Sequence, residues 1–323
     1  MRTARARLLW WVSFPTLVMI GCSQDRNPTP TPPGPPPKEI VPAGATVMIG
    51  AGDIAVCGTS GDEATGRIVD SVISADSAAK VHTEVFTLGD NAYPSGSGGV
   101  DNDFPRCFSP SWGTRRIMNV IHPSPGNHDY DTGTGAPYFS YFGKRAGAPG
   151  KGYYSYDVGD WHVISLNSEL YLESGDSLQA KAQEDWLRQD LAAHPTLCAF
   201  AYFHRPLFSS GSYGATPESR GLWRILYENG VDLVLNGHEH DYERFLPQTP
   251  SGVLDSTRGI EEIIAGTGGG ELRMLRYPLA ENSVFQIHGH FGVLKVMLGS
   301  GEYSHAFIDT NGRVWDPGAR KCH

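Results

Sequence analysis

The chain has 323 residues, of which 40% are hydrophobic and 19% are charged, so it can bury a sizeable core and needs no more than two domains. Its formal net charge is −9, and its Lys and Arg residues are scattered along the sequence. A protein that binds a nucleic-acid backbone presents clustered positive charge, which this sequence lacks. We therefore expect one large domain and no nucleic-acid partner.

The first 22 residues have the pattern of a signal peptide. Three arginines within the first seven residues precede an apolar run over residues 8–20, which is too short to cross a bilayer. The run ends in Met19–Ile20–Gly21–Cys22, which is similar to a bacterial lipoprotein cleavage site with Cys22 as the lipidated residue. Two readings stay open: a lipoprotein of the bacterial cell envelope, or a secreted protein in which Cys22 is incidental.

The segment that follows predicts a tether. Residues 27–37 are rich in Pro and Thr, a composition that forms neither helix nor ladder and runs as an extended spacer. We assign residues 23–40 to this linker and residues 41–323 to the folded domain. Contact with a membrane is expected only through the lipid anchor, and the folded domain is expected to be a monomer.

From residue 41 onward, short apolar runs of strand-forming residues alternate with helical patterns, which is typical of an α/β fold. The predicted strands include residues 46–51, 84–88, 117–121, 197–203 and 231–235. Apolar residues at helical spacing over 62–75 and 179–193 predict two of the helices between them.

The later elements are also well marked. Thr216 is the expected N-cap of a third helix, with Pro217 as its first residue and Gly230 as its stop. Residues 153–167 alternate as strands do, and residues 260–314 contain several β runs between Gly-rich turns. The predicted fold class is α/β, with two facing sheets in a β-sandwich flanked by helices.

Five polar segments each follow one of the apolar runs. Ligands of open α/β sheets collect outside the carboxyl ends of the strands, where this sequence places its Asp, Asn and His residues. The segments are Gly52–Asp53–Ile54–Ala55, Gly89–Asp90–Asn91–Ala92–Tyr93, Gly126–Asn127–His128–Asp129, Phe203–His204–Arg205–Pro206, and the run from Asn236 to Arg244.

Together these segments offer two Asp, one Asn, one Tyr and three His as metal donors. His238 and His240 fall on one side of an extended segment, because side chains alternate along it. Oxygen and nitrogen donors without a thiolate suit two borderline-to-hard cations held close together, with one carboxylate as the bridge. The sequence thus predicts a dinuclear metal centre.

The order and wording of the segments resemble the calcineurin-like metallophosphoesterases, over about Asp53 to His240. Tyr93 placed three residues after Asp90, and the run that begins at His238, resemble the purple acid phosphatase branch. The wider superfamily has a histidine where this chain has Ala55, and Tyr93 compensates for it. The resemblance implies the two-sheet calcineurin-like fold, which makes 41–323 a catalytic domain.

The resemblance also implies the ligand set. The first metal would be Fe(III), held by Asp53, Asp90, Tyr93 and His240. The second would be a divalent ion (Fe, Zn or Mn), held by Asp90, Asn127, His204 and His238. The implied reaction is hydrolysis of a phosphate monoester by in-line attack of a metal-bound hydroxide.

Other residues acquire roles through the same resemblance. His128 would contact the substrate or protonate the leaving group, with Asp129 to orient it, and Asn127 would also contact the substrate. Arg205 is a candidate for binding phosphate, although an ion pair beside the site is the reading we favour. The branch carries further histidines where this chain has Tyr213 and Gly214, which leaves leaving-group protonation and the acid optimum open.

Four cysteines besides Cys22 could form two disulfides in an exported chain. Three pairings exist; we favour Cys57 with Cys107, since both lie just beyond metal-binding segments that should be neighbours, and Cys198 with Cys322. Buried free thiols are the alternative.

The expected partner is a small phosphate ester. A phosphodiesterase uses the same metals and differs only in its loops, so it remains the nearest alternative function. A surface binding protein without turnover is a second alternative, but degenerate copies of such sites usually lose a ligand, and this chain keeps all seven.

Overall fold

The structure is a computed structural model that describes residues 38–95, 103–172 and 177–323. The predicted signal peptide, the lipidation candidate Cys22 and the Pro-rich part of the linker lie outside these residues and stay predictions. Within the described ranges, no helix combines the length and the apolarity that a membrane crossing requires.

Strands make up much of the described chain. They are β1 (Thr46–Ala51), β2 (Ala55–Val56), β3 (Thr83–Leu88), β4 (Ala92–Tyr93), β5 (Ile121–Ser124), β6 (Tyr154–Val158), β7 (Trp161–Ser165), β8 (Cys198–Phe203), β9 (Leu233–Asn236), β10 (Tyr242–Phe245), β11 (Glu261–Ala265), β12 (Ser283–Ile287), β13 (Gly292–Gly299), β14 (Glu302–Asp309) and β15 (Val314–Lys321).

The α-helices are α1 (Gly61–Ala79), α2 (Ser109–Ser111), α3 (Arg115–Met118), α4 (Asn127–Tyr130), α5 (Ala136–Phe142), α6 (Ser177–Ala193) and α7 (Arg220–Glu228). A π-helical turn covers Phe104–Phe108, and 3₁₀ turns cover Gly143–Ala146, Ser168–Tyr171 and Pro217–Ser219.

Two sheets carry the fold. The first has the strand order β15-β14-β13-β1-β3-β5, in which β1, β3 and β5 are parallel. The second has the order β12-β10-β11-β9-β8-β7-β6, with β7, β8, β9 and β11 parallel. The short strands β2 and β4 pair separately. Because neighbouring parallel strands share a direction, their carboxyl ends lie at one edge of each sheet.

The layers follow from side-chain alternation along the strands. In β1, Val47 and Ile49 join a core cluster that includes Val69 of α1, whereas Met48 faces the other way. Met48 packs in a second cluster with residues of both sheets, such as Phe200 of β8. A third cluster lies between the second sheet and helices α6 and α7. The predicted two-sheet sandwich flanked by helices is confirmed.

One predicted strand is wrong. Residues 117–121 were expected to form a strand, but Ile117 lies in α3 and the strand runs instead from Ile121 to Ser124. The cause is local, because the Thr114 hydroxyl accepts a hydrogen bond from the Ile117 backbone N–H at 3.4 Å and caps a helical turn. The apolar run is therefore divided between a helix and a strand.

The structure contains two disulfides, in the pairing that the sequence analysis favours. Cys57, just after β2, is bonded to Cys107 in the π-helical turn. Cys198, at the start of β8, is bonded to Cys322, just after β15. The second bond therefore joins a central strand of one sheet to the end of an edge strand of the other.

Candidate metal centre

The predicted metal ligands come together where the carboxyl ends of the two sheets meet. Asp53, Asp90 and Asn127 follow β1, β3 and β5 of the first sheet, and His204 and His238 follow β8 and β9 of the second. Tyr93 and His240 lie a few residues farther along two of these segments. We call these seven residues the central cluster.

Three residues of the central cluster adopt an unfavourable backbone conformation. Their φ angles are 58° at Asp53, 50° at Asp90 and 70° at His238, in the left-handed region that costs a non-glycine residue about 1–3 kcal/mol. Backbone hydrogen bonds hold these turns: the Asp53 N–H donates to the Gly89 carbonyl at 3.0 Å. Such strain persists only where the surroundings enforce it, and here it aims side chains at a common point.

The first group of donors surrounds the Tyr93 hydroxyl. This oxygen lies 3.0 Å from Asp53 Oδ1, 3.2 Å from Asp90 Oδ2 and 3.2 Å from His240 Nε2. His240 Nδ1 donates to the Glu271 carbonyl at 2.6 Å, which leaves Nε2 facing the group. An outer hydrogen bond of this kind is what orients a metal-binding imidazole.

The second group surrounds His204 Nε2. That nitrogen lies 3.3 Å from Asp90 Oδ2, 3.2 Å from Asn127 Oδ1 and 3.2 Å from His238 Nδ1. His204 Nδ1 donates to the Leu88 carbonyl at 2.7 Å, so Nε2 is the nitrogen that could bind a metal.

Asp90 belongs to both groups through a single oxygen. Oδ2 faces Tyr93 on one side and His204 on the other, and Oδ1 accepts a hydrogen bond from the His128 backbone N–H at 2.8 Å. A Cβ at Gly126 would lie 2.3 Å from Oδ1, so only glycine fits there. Asp90 thus has the placement that a bridging carboxylate requires.

The charges of the cluster are strongly coupled. Burial alone would raise the pKa of Asp53 and Asp90, but His240 lowers the pKa of Asp53 and His204 lowers that of Asp90. Burial opposes the charge on His204, yet Asp90 raises the pKa of its imidazole to about 10. Without metal, the negative charge of the Asp90 carboxylate is therefore balanced by the positive charge of a protonated His204.

His238 and Tyr93 are shifted toward their neutral forms, whereas burial opposes a charge on His240 but Asp53 raises the pKa of its imidazole. Burial, together with repulsion from His204 and Arg205, lowers the pKa of His238 to about 3. Burial and the two carboxylates raise the pKa of Tyr93 well above its ordinary value. Two cations fit this donor set, because they would replace the proton on His204 as the countercharge and free its Nε2 as a ligand.

His128 stands at the rim of the central cluster. Its Nδ1 donates to the Pro94 carbonyl at 2.5 Å and lies 3.2 Å from Asp131 Oδ2, while its Nε2 is 4.0 Å from Asp90 Oδ2. Its ring packs on Tyr93 with 4.5 Å between centroids. Nε2 therefore faces the cluster, and the other nitrogen is anchored.

The predicted role of Asp129 is wrong. Its carboxylate is buried and accepts hydrogen bonds from the backbone N–H of Gly126 at 2.9 Å and from Asn91 Nδ2 at 2.9 Å. Asp129 fixes the turn that carries Asn127, and the carboxylate beside His128 belongs to Asp131. The reason is that residues 127–130 form a helical turn, in which a side chain meets the one three residues on rather than the next one.

Arg205 makes the ion pair that the sequence analysis favours. Its Nε lies 2.9 Å from the buried Glu169 carboxylate, and its Nη1 lies 3.4 Å from His238 Nε2. Arg205 also lines a cleft of about 450 Å³ together with Asn127 and His238. A second cavity, of about 670 Å³, is lined by Tyr93, His128 and His240 among others.

Sequence reasoning missed the support around Tyr213. The Tyr213 ring stacks on His238 with 4.8 Å between centroids, and the Arg273 guanidinium lies 4.2 Å from the Tyr213 ring centroid. Buried Glu239 accepts a hydrogen bond from the Gly214 N–H at 2.5 Å and so supports this loop. No local motif marks Arg273, which reaches the site from a distant loop.

Comparisons with known proteins agree with this arrangement. Residues 49–242 match the family model described as calcineurin-like phosphoesterase. Human acid phosphatase type 7 is 30% identical over 241 residues, which cover 62% of this chain and 51% of that protein. Purple acid phosphatase 21 of Arabidopsis thaliana is 36% identical over 98 residues, which cover 29% of this chain and 22% of that protein. The chain thus spans about half or less of the length of these relatives.

Solved structures show the same fold at low identity. The purple acid phosphatase PPD1 of yellow lupin superposes with a TM-score of 0.68 at 20% identity, covering 86% of this chain and 54% of that one. The Plasmodium protein GAP50, described as the anchor in the inner membrane complex, superposes with a TM-score of 0.67 at 15% identity, covering 86% and 89%.

Proposed function

Since the chain belongs to the calcineurin-like phosphoesterase family, in its purple acid phosphatase-like branch, we propose that it hydrolyses phosphate monoesters with two metal ions bound in the central cluster. The observation that carries this proposal is the position of Asp90 Oδ2, which faces Tyr93 at 3.2 Å and His204 at 3.3 Å. One carboxylate oxygen with a separate donor group on each side is the arrangement that a two-metal site needs.

The donors favour different ions on the two sides. Tyr93 would bind as a phenolate, a hard ligand that suits Fe(III), together with Asp53, Asp90 and His240. The other side has two imidazoles and an amide oxygen besides Asp90, which suits a divalent Fe, Zn or Mn ion. When bound, such cations supply Lewis acidity that activates water and neutralises phosphate oxygens.

The chain's own residues would bind the ester and move its protons. As an imidazolium, His128 would hold a second proton at Nε2, the nitrogen that faces the cluster, and donate it to the leaving alcohol, while Nδ1–H stays anchored on Pro94 and Asp131. The clefts of about 450 and 670 Å³ on the two sides of the cluster are in the range of small-molecule sites. A small phosphate ester is therefore the proposed substrate class, with export as the proposed setting on the sequence alone.

The test compares the full, metal-loaded chain with Asp90→Asn, using a chromogenic phosphate monoester and the matching diester over acid to alkaline pH. An amide cannot bridge two cations as a carboxylate does, so we expect loss of one or both metals and a fall in monoester turnover of about 10³-fold. Asp185→Asn is the matched control, since Asp185 is an exposed residue of α6 that pairs with Lys181.

Each outcome separates one reading from the others. Monoester turnover that disappears in Asp90→Asn but not in Asp185→Asn supports the proposal. Preference for the diester would replace it with a phosphodiesterase. Absence of turnover of both esters with both metals bound would leave the surface binding protein as the better reading.

A further inference from the structure

A second group of metal-binding side chains lies at the edge of the second sheet, and none of its residues belongs to the central cluster. His162 of β7 stands opposite Asp157 of the edge strand β6, and the His162 ring reaches the end of α6. From that helix, Asp190 and the following His194 approach His162. We call these four residues the edge cluster.

We propose that the edge cluster is a third cation site, in which His162 Nε2, an Asp190 carboxylate oxygen and His194 Nδ1 bind Zn²⁺ or a divalent ion with the same ligand preference. The donor atoms all lie within 4.8 Å of one another. Two imidazole nitrogens and a carboxylate oxygen are a ligand set that zinc accepts, with water in a fourth position.

The spacing of the donors supports this geometry. Ligands about 2.0–2.1 Å from a tetrahedral zinc ion stand roughly 3.3–3.4 Å apart. Asp190 Oδ2 lies 2.8 Å from His162 Nε2, and Asp190 Oδ1 lies 3.6 Å from His194 Nδ1. The His162 and His194 rings stack with 12° between their planes, so the more exposed His194 ring would have to turn out of the stack to direct Nδ1 at the cation. Asp190 and His194 are four residues apart and therefore share one face of the helix end.

The outer contacts of the cluster are those of a metal site. Asp157 Oδ1 accepts a hydrogen bond from His162 Nδ1 at 2.8 Å, which turns Nε2 toward Asp190. Ser155 Oγ donates to Asp190 Oδ1 at 2.8 Å and fixes that carboxylate. A carboxylate on the outer nitrogen of a metal-binding imidazole raises the basicity of the ligand and sets its orientation.

Binding would exchange a proton for the cation. Both ring nitrogens of His162 lie 2.8 Å from a carboxylate oxygen. Burial opposes a charge on the ring, but Asp190 and Asp157 raise its pKa, which favours a proton on each nitrogen. The proton on Nε2 would leave to solvent as the metal binds. The His194 Nδ1 proton, now donated to the Asp190 carbonyl at 2.8 Å, would move to Nε2 of the same ring. The cation would then balance the charges of Asp157 and Asp190 and link strands β6 and β7 to α6.

The test is a zinc titration of the full, metal-loaded chain against a chromogenic zinc chelator, with His194→Ala and Asp157→Asn. We expect the wild type to bind one zinc ion in addition to the two metal ions of the central cluster. His194→Ala should not bind this additional zinc ion, and its phosphatase turnover should be unchanged. Asp157→Asn should bind the extra zinc about 10–100-fold more weakly. His290→Ala, a similarly exposed histidine near Asp309, is the control and should keep it.

A second measurement protects the test against variants that fold poorly. Zinc should raise the thermal unfolding temperature of the wild type and of His290→Ala, and should leave that of His194→Ala unchanged. The proposal is overturned if the wild type binds no zinc beyond the central pair, or if His194→Ala binds as much as the wild type.

Discussion

The central and edge clusters use the same residue types but differ in how their groups are satisfied. In the edge cluster, His162 forms ion pairs with Asp157 and Asp190, at 2.8 Å each. The backbone of the cluster is also unstrained, since none of its residues has a positive φ. In the central cluster, three residues are strained and two buried carboxylates share one oxygen-rich space. The edge cluster can therefore balance its charges with protons or with a cation, whereas the central cluster needs the two proposed cations to offset its crowded carboxylates.

Removal of metal should lower turnover through the central cluster and not through the edge cluster. Stripping the protein with a chelator is expected to lower turnover by about 10³-fold or more, because the cations supply several kcal/mol of transition-state stabilisation. Reloading should restore turnover in the wild type and equally in His194→Ala. Turnover that survives complete stripping, checked by elemental analysis, would contradict the assignment of the central cluster.

His128 offers a finer test of the central cluster. His128→Gln is expected to lower kcat by about 10²–10⁴-fold for an ester with an alkyl leaving group, since a general acid contributes that much. The loss should be much smaller for a nitrophenyl ester, whose leaving group needs no proton. Asp131→Asn should show the same dependence on the leaving group, but with a smaller loss in kcat, because Asp131 Oδ2 lies 3.2 Å from His128 Nδ1 and only positions that ring.

The matching variant Asp129→Asn separates this role from a structural one. An amide could keep one oxygen for the Gly126 N–H and Asn91 Nδ2, but its NH2 group would then face the Asn91 backbone N–H that lies 3.3 Å from Asp129 Oδ1, so we expect a loss of about 1–3 kcal/mol in the free energy of unfolding. Equal sensitivity to the leaving group in Asp129→Asn and Asp131→Asn would show that the two carboxylates cannot be distinguished in this way.

The sequence predictions succeed where a feature is a local pattern along the chain and fail where it depends on contacts between distant segments. Strand β1 was predicted with its observed bounds, because a buried strand is a local pattern of apolar residues. The segments around Asp53, Asp90 and His204 were placed together because they follow such strands. Arg273 could not be found, since its contact with the Tyr213 ring joins distant parts of the chain and leaves no periodic signal.

The errors lie where the sequence suggests an extended segment and the structure forms a short helical turn. Thr114 caps a turn that takes Ile117 out of the predicted strand. The turn after Gly126 points Asp129 back at the Gly126 N–H and brings Asp131 to His128 instead. A turn of four residues is too short to show helical periodicity, so the sequence offered no means of separating Asp129 from Asp131.

The disulfide between the sheets should affect stability without affecting the central cluster. Cys198 and Cys322 close a loop with a sequence separation of 124, and the bond restricts the unfolded chain, so Cys198→Ser with Cys322→Ser should lose about 2–4 kcal/mol of unfolding free energy. Denaturant unfolding measures this loss. Turnover per folded molecule should be unchanged, and a parallel loss of bound metal would mean that the bond also positions the site.

The smallest expected effect concerns the edge cluster without metal. Asp190 and Asp157 raise the pKa of His162 above its ordinary value of about 6.5, so its stabilisation is fully present below that value and is lost as the pH rises through the raised pKa. His162 in turn helps to lower the pKa of Asp190, so that contribution is lost only as the pH falls through the lowered value.

These signs define a window in which His162 matters most. In the presence of a chelator, His162→Gln should cost more unfolding free energy at about pH 5–6 than at about pH 9. A cost that grows toward alkaline pH would mean that His162 is neutral in the folded protein, and that zinc would bind at the edge cluster without releasing a proton.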